Sequence, residues 1–306
     1  GAVGISIKEA VRFGVARGLF SNEAGMLYMK KLITRAISGS IYVALIVVAL
    51  LSGCPWAFLT LFALFTILGV NEFHNLVNHD NSMGESHRMM HIIDIVGATA
   101  LFTTLHFTLK FQPVGNLWII ALLAYFITRL VAQLYAHPAN HLHCLAQSML
   151  AMAYVALPMS LLNVIYFDYS PKLLLAAFIL IWLNDTGAYC VGTLIGKHRL
   201  FERISPKKSW EGFWGGLAFC IAATWLLQWL NLFPACWSIA AAVGFAIVTS
   251  VFATWGDLCE SLIKRTLGVK DSGNIMPGHG GILDRIDSLL LVAPATLLYL
   301  LIIALF

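Results

Sequence analysis

The chain has 306 residues, of which 59% are hydrophobic and only 11% are charged. Soluble domains carry about 25% charged residues, so this composition excludes an ordinary soluble protein and indicates one embedded in a lipid bilayer. The formal net charge of +4 favours anionic lipid headgroups or anionic substrates as partners. No basic and aromatic nucleic-acid-binding module is visible, so we expect no nucleic-acid partner. The six cysteines lack paired spacing and are interpreted as small packing residues.

Residues 1–28 differ in character from the rest, because they mix polar and apolar side chains without an apolar run long enough to cross a membrane. This mixture predicts an amphipathic helix at the membrane surface. The stretch KEAVRFGVARGLFSNEAG within it also resembles a segment of sodium:alanine symporters, which favours a fusion-derived head. We therefore place the membrane domain at residues 29–306 and assign the head no role.

Nine apolar segments follow the head, and each is long enough to span about 30 Å of hydrocarbon as a helix. They predict an all-α, polytopic membrane helix bundle with about nine transmembrane helices. The predicted spans are residues 33–53, 56–76, 92–110, 117–135, 146–166, 172–192, 212–231, 236–254 and 286–306.

Charge placement orients this bundle, because short loops rich in Lys and Arg remain on the cytoplasmic side. Lys30 and Lys31 precede the first span and Arg35 lies at its start, which predicts a cytoplasmic N-terminus. Counting spans from there places two further basic loops, residues 197–208 and 264–270, on the same side and the C-terminus outside. The lack of a cleavable presequence favours a bacterial inner membrane.

The first polar island in these spans is residues 182–189, near the cytoplasmic end of the sixth span. Asp185 lies within it. A carboxylate in a membrane helix is costly unless it faces a cavity, a cation or a partner side chain, so a functional role is favoured. The alternative is a helix-end aspartate in contact with interfacial water.

The second polar island, residues 205–212, joins a basic loop to the seventh span. Ser205 followed by Pro206 predicts the start of a short helix, whose first-turn N–H groups would suit a phosphate beside Lys207 and Lys208. The alternative is a positively charged anchor at the membrane interface. A binding role is favoured because the third polar island is predicted on the same membrane face.

The third polar island, residues 255–287, holds the densest set of ionisable side chains. A helix starting near its first residue would align Asp257, Ser261 and Lys264 on one face. A glycine-rich turn follows, and its backbone N–H groups can approach an oxyanion.

Two carboxylates follow that turn at the start of the last helix. Asp284 and Asp287 are three residues apart, so both point the same way. Paired carboxylates beside Lys, Arg and His side chains can hold Mg²⁺ against phosphate oxygens. We therefore expect the third island to be the centre of the site.

The pattern S-x-x-K-R-x4-K-D-x-G-x3-P-G-H-G-G-x-x-D-R-x-D, over residues 261–287, resembles the signature of the phosphatidate cytidylyltransferase family, also called CDP-diacylglycerol synthases. The other two islands are similar to further elements of that family in the same order, so the resemblance covers roughly residues 29–306. Met276 departs from it, since many members have Leu, Ile or Phe there. The resemblance implies Mg²⁺-dependent transfer of CMP from CTP to phosphatidate, and a homodimer.

Such a transfer joins two anions, so catalysis should depend on charge neutralisation and in-line positioning, without a general base. We expect Mg²⁺, with room for a second cation, at Asp257, Asp271, Asp284 and Asp287. The expected catalytic residues are Asp257, Lys264, Arg265, Lys270, Asp271, His279, Asp284, Arg285 and Asp287. The expected substrate-binding residues are Asp185, Ser205, Lys207, Lys208, Ser261, Gly280 and Gly281.

The alternative function is an ion-coupled membrane transporter, because charged side chains inside membranes also mark transporters. Here the predicted charges gather at one membrane face rather than at the midplane, and no inverted repeat is visible, which favours the enzyme. Its site is expected to open to the cytoplasm, where CTP is soluble, while the acyl chains of the lipid stay in the bilayer.

Overall fold

The structure is a computed structural model that describes residues 23–78, 85–111, 115–136, 140–273, 275–276 and 280–305. The predicted all-α architecture is confirmed, since helices form nearly all of this part of the chain. The helices are α1 (Glu23–Leu51), α2 (Pro55–Val77), α3 (Glu85–Lys110), α4 (Leu117–Tyr135), α5 (His141–Ala151), α6 (Leu157–Val164), α7 (Pro171–Ile195), α8 (Trp210–Trp229), α9 (Ile239–Thr266) and α10 (Leu283–Ile303). Two π-helical turns, Met152–Ala156 and Ile165–Tyr169, continue α5 and α6 into one long helical segment.

Eight helical segments in the described ranges are long and apolar enough to cross a membrane. The chain is therefore an integral membrane protein. These segments are Leu32–Leu51, Pro55–Val77, Arg88–Lys110, Leu117–Tyr135, His141–Tyr169, Pro171–Ile195, Ile239–Thr266 and Leu283–Ile303. The predicted seventh span corresponds to α8, which has 20 residues but is not among the eight.

One predicted helix boundary differs from the structure. The span predicted to end at residue 254 continues without a break to Thr266, because α9 includes the segment predicted as a separate helix from Trp255. At the other end of the chain, α1 begins at Glu23 and runs through the predicted boundary between the head and the membrane domain. Residues 1–22 of the head lie outside the described residues.

Close packing between helices holds the bundle together. Large side chains such as Phe58, Phe102 and Phe178 are almost completely buried at the contacts of α2, α3 and α7. Lipid tails are as apolar as these side chains, so burial within a membrane stabilises mainly through tight van der Waals contact. Glycines allow the closest approach. A Cβ on Gly216 of α8 would lie 2.6 Å from Asn184 Oδ1 of α7, so only a glycine permits this α7–α8 contact.

A buried polar network joins α2, α3, α4 and α5 away from the predicted islands. Asp94 is 1% exposed and accepts hydrogen bonds from Tyr125 Oη at 2.8 Å and Ser148 Oγ at 2.5 Å. Arg129 Nε lies 3.4 Å from the Asp94 carboxylate, and His74 Nε2 lies 3.0 Å from it. Buried charges are tolerated when paired and hydrogen-bonded in this way, so the network ties four helices together.

A two-stranded antiparallel hairpin connects α7 to α8. Its strands are β1 (Arg199–Phe201) and β2 (Ser205–Ser209). The prediction that Ser205 starts a short helix is wrong, because these residues pair as a strand. α8 instead starts directly after β2, at Trp210. Ser209 Oγ accepts the N–H of Gly212 at 3.1 Å and caps this helix.

Candidate active site

Residues from the first and third polar islands meet around one polar cavity of about 310 Å³. α7 contributes one wall, α9 a second, and the start of α10 with the loop before it a third. The lining residues are Asp185, Asp257, Lys264, Asp271, Asp284, Arg285, Asp287 and Ser288. Six predicted catalytic residues and the predicted Asp185 therefore lie in one place.

A second cavity of about 250 Å³ adjoins the polar one. The two share Asp185, Asp284, Arg285, Asp287 and Ser288. Apolar residues of α1, α7 and α10 complete its walls. These are Gly39, Tyr42, Val43, Phe178, Ile181, Trp182 and Leu289, together with Met276 from the loop. A molecule with a charged end and an apolar end could thus occupy both cavities at once.

Asp284 fastens the loop before α10 to α9. Its Oδ1 accepts a hydrogen bond from Lys264 Nζ at 2.6 Å. Its Oδ2 accepts the backbone N–H groups of Ser272 at 3.0 Å and Gly281 at 2.9 Å. Gly280 has a φ of +82°, and a Cβ there would lie 2.5 Å from Asp284 Oδ2, so the turn requires glycine at this position. The carboxylate thus shapes the turn as well as lining the cavity.

α9 presents Asp257 and Lys264 to the polar cavity, as their spacing predicted. Ser261 Oγ donates to Asp257 Oδ1 at 3.1 Å and so orients that carboxylate. Lys264 Nζ also lies 3.2 Å from Glu260 Oε2, and Glu260 is completely buried beneath the site. Lys264 therefore pairs with two carboxylates, and pairing of this kind is what makes buried charges tolerable.

β2 delivers one of its two lysines to the site. Lys208 Nζ lies 2.7 Å from Asp257 Oδ2 and donates to the carbonyl of Thr254 at 3.4 Å. Lys207 is exposed to solvent. Sequence reasoning treated the two lysines alike, and the structure separates them.

Arg265 connects the hairpin to the end of α9. Its Nε donates to the carbonyl of Ile204 at 3.3 Å, and a terminal guanidinium nitrogen donates to the carbonyl of Val269 at 3.1 Å. Arg265 is not among the lining residues of the polar cavity. Its position favours holding the hairpin over the site, and its predicted catalytic role stays a prediction.

Glu211 stabilises the same hairpin from the start of α8. Its carboxylate accepts the N–H groups of Lys197 at 3.1 Å and His198 at 3.2 Å, and the ring Nδ1 of His198 lies 2.6 Å away. Its own backbone N–H, followed by the His198 ring, lowers the pKa of the Glu211 carboxyl to about 2. The carboxylate is therefore ionised throughout the physiological range.

The other predicted residues have different surroundings. Lys270 and Asp271 are exposed, and of the two only Asp271 lines the cavity. Ser205 lies in the hairpin and is not among the described residues that line the cavity. His279 and the rest of residues 277–279 lie outside the described residues.

Two residues that hold the helices and the loop of the site together were not predicted. Asn184 ties α7 to α9, since its Oδ1 accepts from Ser250 Oγ at 2.6 Å and its Nδ2 donates to Thr254 Oγ1 at 3.1 Å. Glu72 reaches the loop from α2 and accepts the N–H groups of Ile282 at 2.9 Å and Leu283 at 2.7 Å. A glutamate within an apolar span is costly, and that signal could have identified Glu72 from the sequence.

A metal ion at this site would need oxygen ligands from the carboxylates that line the polar cavity. Across the described ranges, no group of three or more His, Cys, Asp or Glu side chains could by itself hold a metal ion. Mg²⁺ at nucleotide sites uses one or two carboxylates together with waters and substrate phosphates. The oxygen donors of Asp257 and Asp287 at a polar cavity fit that mode of binding.

Comparison with known proteins identifies the fold's relatives. The chain is similar to the phosphatidate cytidylyltransferases of Staphylococcus epidermidis, at 48% identity over 124 residues, and of Staphylococcus aureus (strain COL), at 49% over 123 residues. It is also 48% identical over 122 residues to the protein of that name from Staphylococcus saprophyticus. Each match covers 40% of this chain and 46% of the relative, so the chain spans about half the length of the curated relatives it matches.

A sequence model of the cytidylyltransferase family matches residues 33–303, which include every helix that lines the two cavities. The match thus covers the polar islands and the helices that bring them together. On this evidence the chain belongs to the cytidylyltransferase family.

Proposed function

We propose that the chain is a phosphatidate cytidylyltransferase, which transfers CMP from CTP to phosphatidate and gives CDP-diacylglycerol and pyrophosphate in phospholipid biosynthesis. The observation that carries the proposal is the pair of adjoining cavities, one polar and one with largely apolar walls, which share Asp284, Arg285 and Asp287. Phosphatidate has a charged headgroup and two acyl chains, so it suits both cavities together. The family membership and the names of the staphylococcal relatives support the same reaction.

The reaction needs little covalent chemistry from the protein. A phosphate oxygen of phosphatidate attacks the α-phosphorus of CTP, and the bond from that phosphorus to the bridging oxygen breaks, so pyrophosphate leaves. The attacking oxygen is already ionised at neutral pH, so no general base is required. The barrier comes from bringing two anions together with the attacking and leaving oxygens in line. Cations held in fixed positions lower that barrier.

Side chains around the cavity can meet that need. Lys208 and Lys264 are held by carboxylates at 2.7 Å and 2.6 Å, which fixes two positive charges at the cavity. Arg285 lines both cavities and is suited to bind the phosphate of a lipid headgroup, which would lie between them. Preorganised charges of this kind stabilise a transition state without reorganising during the reaction.

Asp287 is the residue best suited to hold Mg²⁺, together with Asp257, whose Oδ2 would exchange its contact with Lys208 Nζ for the metal, and with Asp185, Asp271 and Asp284 near them. When bound, Mg²⁺ would supply additional neutralisation of the triphosphate and leave room for a second cation. Asp284 is already engaged by Lys264 and two backbone N–H groups, so its contribution is chiefly to hold the loop in place.

We further propose a bacterial inner membrane location, with the site open to the cytoplasm, and assembly as a homodimer. The basic hairpin and the end of α9 lie beside the polar cavity, so the positive-inside rule favours a cytoplasmic opening. Bacterial relatives support the membrane assignment. The homodimer follows from the family resemblance alone and is tested by the mass of the detergent-solubilised protein.

The decisive experiment is release of pyrophosphate by purified protein in detergent with CTP, phosphatidate and Mg²⁺, repeated with each omitted in turn. Turnover that needs all three is expected. Turnover without phosphatidate, or none in a folded sample supplied with lipid, would contradict the proposal. In the second case, ion-dependent flux into liposomes would favour the transporter alternative.

A further inference from the structure

Glu72 is a buried acidic residue in the middle of the contacts that hold the loop before α10. It is 3% exposed and belongs to α2, which contributes no residue to the lining of the polar cavity. A carboxylate inside a membrane span is costly and is generally retained for a partner that needs it. In this structure, the partners of Glu72 are backbone N–H groups about 200 residues further along the chain.

Both carboxylate oxygens of Glu72 are used at the start of α10. Oε1 accepts the N–H of Ile282 at 2.9 Å, and Oε2 accepts the N–H of Leu283 at 2.7 Å. First-turn N–H groups have no acceptor within their own helix and carry the positive end of the helix dipole. Ile282 precedes α10 without any side-chain cap of its own. Glu72 therefore caps α10 from another helix.

The same carboxylate contacts the other end of the loop. Ser272 Oγ donates to Glu72 Oε2 at 3.4 Å. A Cβ on Gly273 would lie 2.8 Å from Glu72 Oε1, and a Cβ on Gly281 would collide with Oε2. Both ends of the loop thus rest against one side chain, and glycine is what allows the contact.

Asp284 fixes the loop from the cavity side through Ser272 and Gly281, and Glu72 fixes it from the protein interior. We infer that Glu72 is a positioning residue for cytidylyl transfer, which holds the start of α10 so that Asp284 and Asp287 face the polar cavity. The inference rests on the proposed function. Glu72 itself touches neither cavity, so it acts through the residues it holds.

The test is Glu72→Gln, which keeps the shape of the side chain but turns one acceptor into a donor that faces an N–H group. We expect kcat to fall on the order of 10- to 100-fold, because small misplacements of catalytic groups have effects of that size. The KM for CTP should change by less than about threefold, since the cations at the cavity remain. Amide hydrogen exchange in residues 280–290 should rise about tenfold or more, with little change elsewhere.

Thr66→Val on the same helix is the matched control. Thr66 is also fully buried, but its hydroxyl donates to the carbonyl of Phe62 within α2, so neither kcat nor exchange in residues 280–290 should change. Should Glu72→Gln fail to fold, Glu72→Asp provides the same measurements, because the shortened carboxylate keeps its charge but cannot reach both N–H groups.

Unchanged kcat, or a lowered melting temperature with normal kcat in the folded fraction, would overturn the inference. Exchange that rises equally throughout α2 and α10 would also overturn it, since that pattern indicates general loosening. Absence of turnover in the unmodified protein would instead contradict the proposed function. In that case, the exchange measurement still decides whether Glu72 holds the loop.

Discussion

The Lys264–Asp284 ion pair offers the most informative perturbation, and Asp284→Asn is the change that tests it. Asparagine has one acceptor oxygen where aspartate has two. If that oxygen faces Lys264, the amide NH2 points at the backbone N–H groups of Ser272 and Gly281. If the side chain is flipped, the NH2 points at the ammonium group. Either orientation sets donors against donors.

The structure sets the size of the effect. The side chains of Lys264 and Asp284 are 10% and 9% exposed, so solvent can compensate little. Breaking a buried ion pair costs about 3–5 kcal/mol when the remaining charge is left alone. Lys264 keeps a second partner, Glu260 Oε2 at 3.2 Å. We therefore expect the free energy of unfolding to fall by about 2–4 kcal/mol, at the lower end of the range for buried charges.

The assay is equilibrium unfolding by SDS in mixed micelles, followed by tryptophan fluorescence, for Asp284→Asn, Lys264→Met and the double variant. The two single changes should not add, and the coupling energy should be at least about 1 kcal/mol. Additive effects, or a loss below about 0.5 kcal/mol for Asp284→Asn, would refute the claim that this pair holds the loop to α9.

Three further outcomes follow from the site. Lys208→Ala should raise the KM for CTP or phosphatidate about tenfold, whereas Lys207→Ala, at an exposed position, should change neither more than about twofold. Equal effects would contradict the assignment of Lys208 alone to the site. Asp287→Asn should reduce pyrophosphate release at least about 100-fold with little change in melting temperature, and near-normal turnover would remove Asp287 from cation binding. Gly256→Ala should destabilise by about 1–3 kcal/mol, because its Cβ would lie 2.7 Å from the carbonyl of Asp287. Gly192→Ala should have the smaller effect in the same unfolding assay, since its nearest neighbour would be a side-chain atom at 3.3 Å.

Local patterns in the sequence were sufficient for most of the architecture. Apolar runs of about 20 residues predicted the membrane spans, because a helix must satisfy its backbone groups internally to cross a bilayer. Helical spacing also predicted that Asp257 and Lys264 of α9 line one site. The span predicted to end at residue 254 and the helix predicted from Trp255 are one continuous helix, so the predicted boundary was wrong. The sequence becomes more polar there, but the helix does not end. A helix can leave the hydrocarbon and continue in a polar cavity.

The hairpin shows where local reasoning was insufficient. Ser205 followed by Pro206 carries a helix-start pattern, yet pairing with β1 decided the conformation of this segment. In this hairpin Lys208 lies against Asp257, and Lys207 is exposed to solvent. The pairing partner, Arg199–Phe201, lies only a few residues before Ser205, but serine and proline propensities do not indicate that the two segments pair.

By itself, the sequence determined that the chain is an all-α membrane bundle and that its ionisable side chains gather in polar islands, since composition and helical periodicity are local properties. Only the tertiary structure decided which ionisable groups meet. Lys264 and Asp284 are 20 residues apart, and Glu72 and Leu283 are 211 apart. The physical reason is that a buried charge is stable only beside a partner that compensates it, and helix packing determines which partner is within reach.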